Sequence, residues 1–410
     1  MIGNPRETIP FQYAQEALEQ RVVGVMIKPV GALCNLDCTY CYYLDKKDLY
    51  KGNLARMDLS LLERFTEQYI SANLRADEIS FCWHGGEPLL AGLDFFKKAV
   101  SFQKKYNPGK QISNSLQTNG TLINHEWVDF FLENDFLVGV SIDGPQAIHD
   151  SYRIDKQGYG TFAKVLKGIE MMYKSGMQYN TLTTVNNVNQ NHGREVYLFL
   201  KSIGSYHMQF LPVLEYVKTV PGKPDKRPVI VSPETSGSQR APWSLSAESY
   251  GTFLCDIFDL WSSGDVGIRF VPFFEAVLAN YTGVPPGICA WCETCGNNVV
   301  LEWNGDVYVC DHFVYPEFKI GNIAQMTFSQ MAASDILFRF GLDKRNRLPD
   351  QCFRCPYYRL CYGECPKHRF LTTRDGQQGL NALCEGYKHF FAYTESWFLK
   401  MAKSLERDDL

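Results

Sequence analysis

Between residues 22 and 215 the chain alternates short apolar or β-branched runs with segments whose apolar residues recur at helical spacing. VVGVMIKPVG (22–31), EISFCWHGG (78–86), ISNSLQTNG (112–120), LVGVSIDG (137–144), QYNTLTTVN (178–186) and HMQFLPVLE (207–215) read as strands. Helical patterns lie between them at 58–70, 93–106, 124–134, 161–176 and 193–204, the first with Asp58 as a natural N-cap. Strand, helix and strand repeated this often predict right-handed βα units on a parallel sheet. Six such strands fit a partial barrel or an open doubly wound sheet, and periodicity does not choose between the two.

The rhythm stops at 217–244, VKTVPGKPDKRPVIVSPETSGSQRAPWS, whose Pro, Gly, Ser and charge content is loop or linker chemistry. A helix resumes over AESYGTFLCDIFDLWSSG, capped by Ser244 or Ser246. From residue 286 the chain turns to Cys, Gly and aromatics, with one hairpin signal at Asn304-Gly305 inside VVLEWNGDVYVC. So small a unit with so many ligand-type residues is expected to be held by metal rather than by a core. The division expected is therefore an α/β unit over 1–240 that includes most of the linker, a helical connector over 245–285, a cysteine-rich unit over 286–384 and a C-terminal helix over 385–410. At 410 residues two or three domains are the prior, and 45% hydrophobic with 21% charged residues is ordinary globular composition. No apolar run is long enough to span a membrane. MIGNPRETIPFQYAQEALEQ carries no basic-then-apolar signal pattern, so a cytoplasmic protein is expected. A net charge of −4 without a basic block disfavours nucleic acid.

Fourteen cysteines are the anomaly, and nine of them crowd between Cys289 and Cys384. Without signs of export, such spacings point to metal or cluster ligands rather than to disulfides. Cys34-x3-Cys38-x2-Cys41 directly follows the first strand. Three thiolates on one loop hold three irons of a [4Fe–4S] cube and leave the fourth open. A zinc site wants four ligands, so a zinc knuckle would need a distant His. His84-Gly85-Gly86-Glu87-Pro88 ends the second strand, where glycines let backbone approach a ligand closely. Ser141 and Asp143 end the fourth strand on one side by alternation, and Arg153 follows in HDSYR. On the residues alone, Arg153 is a surface ion pair or an anion site, and Leu214 is core.

In order and type, these motifs resemble the radical S-adenosylmethionine (SAM) superfamily. The resemblance implies a partial (β/α)6 barrel with SAM chelated to the open iron of the cluster on Cys34, Cys38 and Cys41. It further implies SAM contacts from Tyr40, Gly85, Ser141, Asp143, Arg153 (to the methionyl carboxylate) and Leu214 (to the nucleoside).

The later cysteines form two sets, Cys289-x5-Cys295-x14-Cys310 with Cys292 between, and Cys352-x2-Cys355-x5-Cys361-x3-Cys365 followed by Cys384. Taken alone the second set admits a zinc ribbon, although eight or nine thiols suit two tetranuclear clusters better. The pattern resembles the SPASM extension of peptide-modifying radical SAM enzymes, and its spacings are similar to those of the anaerobic sulfatase-maturating enzymes over essentially the whole chain. That match implies one auxiliary [4Fe–4S] cluster on Cys289, Cys295, Cys310 and Cys365. It implies a second on Cys352, Cys355, Cys361 and Cys384, making three clusters in all. Cys292 falls where the pattern has no ligand, and 217–244 is longer than the pattern. Cys82 and Cys255 sit in apolar contexts that suit buried structural thiols.

Asp311 follows Cys310 directly. Nearby cluster thiolates are expected to raise its pKa, which suits a general base, against the plainer role of a turn cap. The resemblance makes Asp311 the proton acceptor in oxidation of a sulfatase Ser or Cys to Cα-formylglycine. It implies an unfolded or nascent sulfatase polypeptide as substrate and a flavodoxin or ferredoxin as electron donor. The alternatives are a SPASM-type crosslinking enzyme acting on a ribosomal peptide and a zinc-stabilised binding module.

Overall fold

The computed structural model describes residues 22–50, 56–219, 228–231 and 235–408. The N-terminal stretch MIGNPRETIPFQYAQEALEQ, expected to carry no signal pattern, and parts of 217–244 lie outside them.

The expected alternation forms as β1 (Gly24–Lys28), α1 (Leu59–Ala72), β2 (Glu78–Trp83), α2 (Leu93–Tyr106), β3 (Gln111–Thr118), α3 (His125–Glu133), β4 (Phe136–Ser141), α4 (Phe162–Lys174), β5 (Tyr179–Val185), α5 (Gly193–Ser202) and β6 (His207–Pro212). The caps explain where helices start. Asp58 accepts from the Ser60 amide at 2.8 Å, and Asn124 accepts from the Trp127 amide at 3.0 Å. Each helix turns its apolar stripe inward; α1 buries Leu62, Phe65, Tyr69 and Ile70. β1 to β6 are parallel neighbours in strict chain order. A doubly wound sheet reverses strand order at a switch point, and this one never does, so the winding is that of a barrel. It stays open, with β6 at one edge of the sheet.

The described part of the 217–244 stretch is more than linker. β7 (Tyr216–Lys218), β8 (Val229–Val231) and β9 (Gln239–Arg240) form a small antiparallel sheet. Val217, Ala241 and Trp243 from this stretch share one apolar cluster with Leu36, Cys38 and Tyr40 of the loop after β1. The sheet therefore roofs the first cysteine motif. Ser246, not Ser244, caps α6 (Ala247–Ser262), accepting from the Ser249 amide at 3.1 Å. Ser244 instead bonds the Glu215 backbone.

After α7 (Pro272–Thr282), the expected hairpin forms from β10 (Asn298–Glu302) and β11 (Asp306–Tyr308), and β12 (Lys319–Asn322), α8 (Asp335–Asn346) and α9 (Cys384–Asp408) follow. β10 pairs in parallel with β1, from Gly24 opposite Asn298 to Lys28 opposite Glu302, so one nine-stranded sheet runs through both halves of the chain. This corrects the expectation of a unit held by metal alone. Val299, Leu301, Val307 and Phe328 belong to the same core as the barrel, and Phe328 packs edge-on against Tyr69 with ring centroids 5.0 Å apart. α9 lies along α6 through Phe258, Phe390 and Phe398. Among the described residues no helix is long and apolar enough to cross a membrane.

Candidate active site and cysteine centres

The loop after β1 brings Cys34, Cys38 and Cys41 together beneath the β7–β9 roof. The Leu36 amide donates to Cys34 Sγ at 3.4 Å and Asn119 Nδ2 does so at 3.7 Å, as a thiolate requires. Burial pushes Cys34 and Cys38 up to about 12, and the neighbouring sulfurs add to the shift. Two such thiols that resist ionising, with Cys41 beside them, are a poor resting state for protein alone. Bound iron supplies the missing positive charge.

The end of β2 braces this loop. The Gly86 amide donates to Gly31 O at 2.8 Å and the Glu87 amide to Leu33 O at 2.9 Å. A Cβ on Gly86 would stand 2.2 Å from Leu33 O, and Gly85 has φ +125°. Glu87 is buried and accepts from the amides of Leu89 (3.0 Å) and Asn119 (2.8 Å) and from Thr118 Oγ1 (2.8 Å). Its carboxylate thus joins the ends of β2 and β3. Burial outweighs those donors and lifts it to about 7.

At the end of β4, Asp143 accepts from the Tyr40 hydroxyl and from the Thr184 amide at 2.9 Å. Arg153 Nε lies 3.0 Å from Asp143 Oδ2, close enough for an ion pair but not aligned as a hydrogen bond. Its Nη2 donates to Thr184 Oγ1 at 3.1 Å, and the guanidinium stands 5.5 Å from the Tyr40 ring centroid. Tyr40, Asp143 and Arg153 are therefore one buried cluster. Within the chain, the carboxylate paired with Arg153 is that of Asp143. Ser141 Oγ accepts from Gln117 Nε2 at 3.1 Å, and Leu214 lies in the main core.

Asp311 occupies the seam between the halves. The β1–β10 register carries Lys28 to the β10 end, and its ammonium, wholly buried, donates to Asp311 Oδ1 while the Tyr42 hydroxyl donates to Oδ2. Burial alone would raise this carboxyl. Lys28, with His84 and His312, reverses the sign and holds it well below the usual carboxylate range. The expected upward shift is thus overturned by a cation invisible in the local sequence. His84 Nδ1 is buried without a partner among the described residues. Lys367 stands 4.4 Å from the Tyr42 ring centroid and pairs with Glu215 at 2.6 Å. Lys28, Tyr42 and Lys367 are not singled out by the sequence, and His84 enters there only as the first residue of a glycine motif. The one available signal was Lys28, the only charge in an otherwise apolar strand.

Among the described residues no cysteine is joined in a disulfide. Cys310 is raised first by burial and then by the charges of Asp311, Cys289 and Cys295. Cys365 is likewise raised by burial, with Cys310 and Cys295 among its charged neighbours, so these four thiols converge. Cys352, Cys355, Cys361 and Cys384 line a single pocket. Among the described residues no three His, Cys, Asp or Glu side chains close around a single ion. Thiols ringing a space fit a tetranuclear cluster, in which each iron takes its own sulfur. Cys292 donates to Ile288 O at 3.4 Å. Cys82 lies on β2 and Cys255 is buried on α6.

Residues 29–200 match the Radical SAM superfamily, and residues 292–356 match the SPASM iron-sulfur cluster-binding domain. Together with the barrel and its cysteine loop, these define a radical SAM enzyme with an iron–sulfur extension. The serine-type anaerobic sulfatase-maturating enzyme of Bacteroides thetaiotaomicron is 46% identical over 93% of this chain and 91% of its own. The cysteine-type enzyme of Clostridium novyi is 34% identical over 93% and 98%. The solved structure of native anSMEcpe with bound AdoMet and Cp18Cys peptide is 32% identical, with a TM-score of 0.80 over 93% of this chain and 99% of that one. The chain belongs to the anaerobic sulfatase-maturating enzymes.

Proposed function

We propose that this chain oxidises a serine or cysteine side chain of an unfolded or nascent sulfatase polypeptide to Cα-formylglycine. The observation that carries the reading is the position of Asp311. It is adjacent in sequence to Cys310, yet its carboxylate is gripped by Tyr42 and Lys28 beside the Cys34–Cys41 loop.

Cys34, Cys38 and Cys41 hold the SAM cluster. Cys289, Cys295, Cys310 and Cys365 hold one auxiliary cluster, and Cys352, Cys355, Cys361 and Cys384 hold the other. Bound at the first of these, SAM would supply radical chemistry at the target Cβ, and the auxiliary clusters would supply an electron acceptor. Tyr40, Gly85, Ser141, Asp143, Arg153 and Leu214 form the SAM pocket, in which the Asp143–Arg153 pair fixes the guanidinium in place. Asp311 takes the proton from the hydroxyl or thiol as the carbon is oxidised. Lys28 keeps that carboxyl ionised, at a cost in basicity, and Tyr42 orients it. Serine yields the aldehyde directly; cysteine passes through a thioaldehyde and loses sulfide on hydrolysis. The reductant is a flavodoxin or ferredoxin, and the compartment is the cytoplasm.

Asp311→Asn keeps the size and one acceptor but cannot take a proton at neutral pH. This variant is expected to load three clusters and cleave SAM reductively, while formylglycine falls about 10²–10⁴-fold. Mass spectrometry of paired Ser and Cys sulfatase peptides reads the outcome. Near-normal formylglycine would reduce Asp311 to a structural residue.

A further inference from the structure

His312 follows Asp311 in Cys310-Asp311-His312-Phe313, and its side chain returns to a different sulfur. Its Nδ1 lies 3.5 Å from Cys365 Sγ, across a gap of 53 residues. One face of the same ring meets Tyr42 edge-on, with centroids 5.7 Å apart, and Tyr42 donates to Asp311. A single imidazole therefore touches both a cluster thiol and the ring that orients the proton acceptor. A thiolate bound to iron carries no proton, so in this contact sulfur accepts and the imidazole donates from a protonated Nδ1.

We propose that His312 is a positioning residue that donates its Nδ1–H to the Cys365 thiolate and thereby raises the reduction potential of the auxiliary cluster beside Asp311. The inference rests on Cys365 being a ligand of that cluster. Reduction adds one electron and no proton, so the cluster becomes more negative by one charge. A fixed N–H dipole aimed at a ligand sulfur stabilises that reduced state more than the oxidised one. The potential rises, and the electron leaving the substrate finds a better acceptor a short distance from where its proton went. Edge packing on Tyr42 keeps the imidazole from turning away.

The test uses the loaded full-length chain. His312→Phe retains a ring against Tyr42 but has no donor, and His312→Gln restores an amide N–H. Both are reconstituted anaerobically, assayed for iron and titrated against potential with EPR detection, without SAM or peptide. The signal missing from Cys365→Ala identifies the cluster. The expected result is full iron in both variants, with this midpoint shifted downward in His312→Phe, partly restored in His312→Gln, and the other two midpoints unmoved. Turnover should fall through kcat while KM for peptide holds. An unchanged midpoint in fully loaded His312→Phe overturns the inference and leaves the ligand assignment standing. Loss of about four irons from both variants overturns it differently, showing that His312 builds the site rather than tunes it. A Cys365→Ala chain with full iron and all three midpoints would instead remove the ligand assignment itself.

Discussion

The Cys34–Cys41 loop takes its three thiols from eight consecutive residues at the end of β1, whereas the auxiliary thiols come from separate stretches between Cys289 and Cys384. The first group is local chemistry set on a scaffold. Strand β1 and the turn after it position the cysteines, and β2, β3 and the β7–β9 roof brace them from outside. The second group is tertiary chemistry: Cys310 ends a hairpin that belongs to the barrel sheet, and it meets Cys365 only because the chain folds back. Emptying the first site should therefore leave a folded protein, while emptying the second should disturb folding.

The largest expected effect is on the first side of that contrast. Replacing Cys34, Cys38 and Cys41 together by Ala should abolish 5′-deoxyadenosine formation and leave about eight irons in a soluble chain. Continued production of 5′-deoxyadenosine would assign the SAM cluster elsewhere. On the other side, Cys365→Ala should lose thermal stability as well as about four irons, because it joins the 289–310 stretch to the 352–365 loop. Cys292→Ala, whose thiol is given to the Ile288 carbonyl, should keep its full iron. If iron disappears from Cys292→Ala and stays in Cys365→Ala, the wiring of the two stretches is reversed.

A smaller effect is expected at the seam. Lys28→Met leaves the Asp311 carboxylate buried without its cation, which should cost about 3–5 kcal/mol and lower the thermal midpoint. Adding Asp311→Asn to Lys28→Met should recover much of that loss, since no unpaired charge then remains. Equal midpoints for the single and double variants would show that the pair contributes nothing to joining the halves. The smallest effect is expected in the roof. Trp243→Ala should leave iron content intact under argon and speed bleaching of the first cluster in air, because Trp243 shares the apolar cluster that covers Cys38. Unchanged bleaching would mean that the roof does not exclude oxidant.

Asp311 shows where sequence reasoning stops. Its neighbour Cys310 was visible and argued for a raised pKa. Lys28, 283 positions away, decides the opposite. Arg153 teaches the same lesson: its spacing after Asp143 was legible, but the pairing of the two side chains was not. The 217–244 stretch read as linker because its composition is polar and Pro-rich. Three of its apolar residues, Val217, Ala241 and Trp243, pack against the cysteine loop.

By itself the sequence determined the order of strands and helices from β1 to β6, because apolar periodicity and capping residues act within a turn or two of the chain. It also determined the first cysteine motif, whose three thiols come from one short loop. Only the tertiary structure decided that β10 lies beside β1, that Lys28 reaches Asp311, and that His312 reaches Cys365. Those contacts join residues far apart in sequence, and burial gives each charge and hydrogen bond its strength. A linear pattern records neither the neighbour nor the loss of water that makes the neighbour matter.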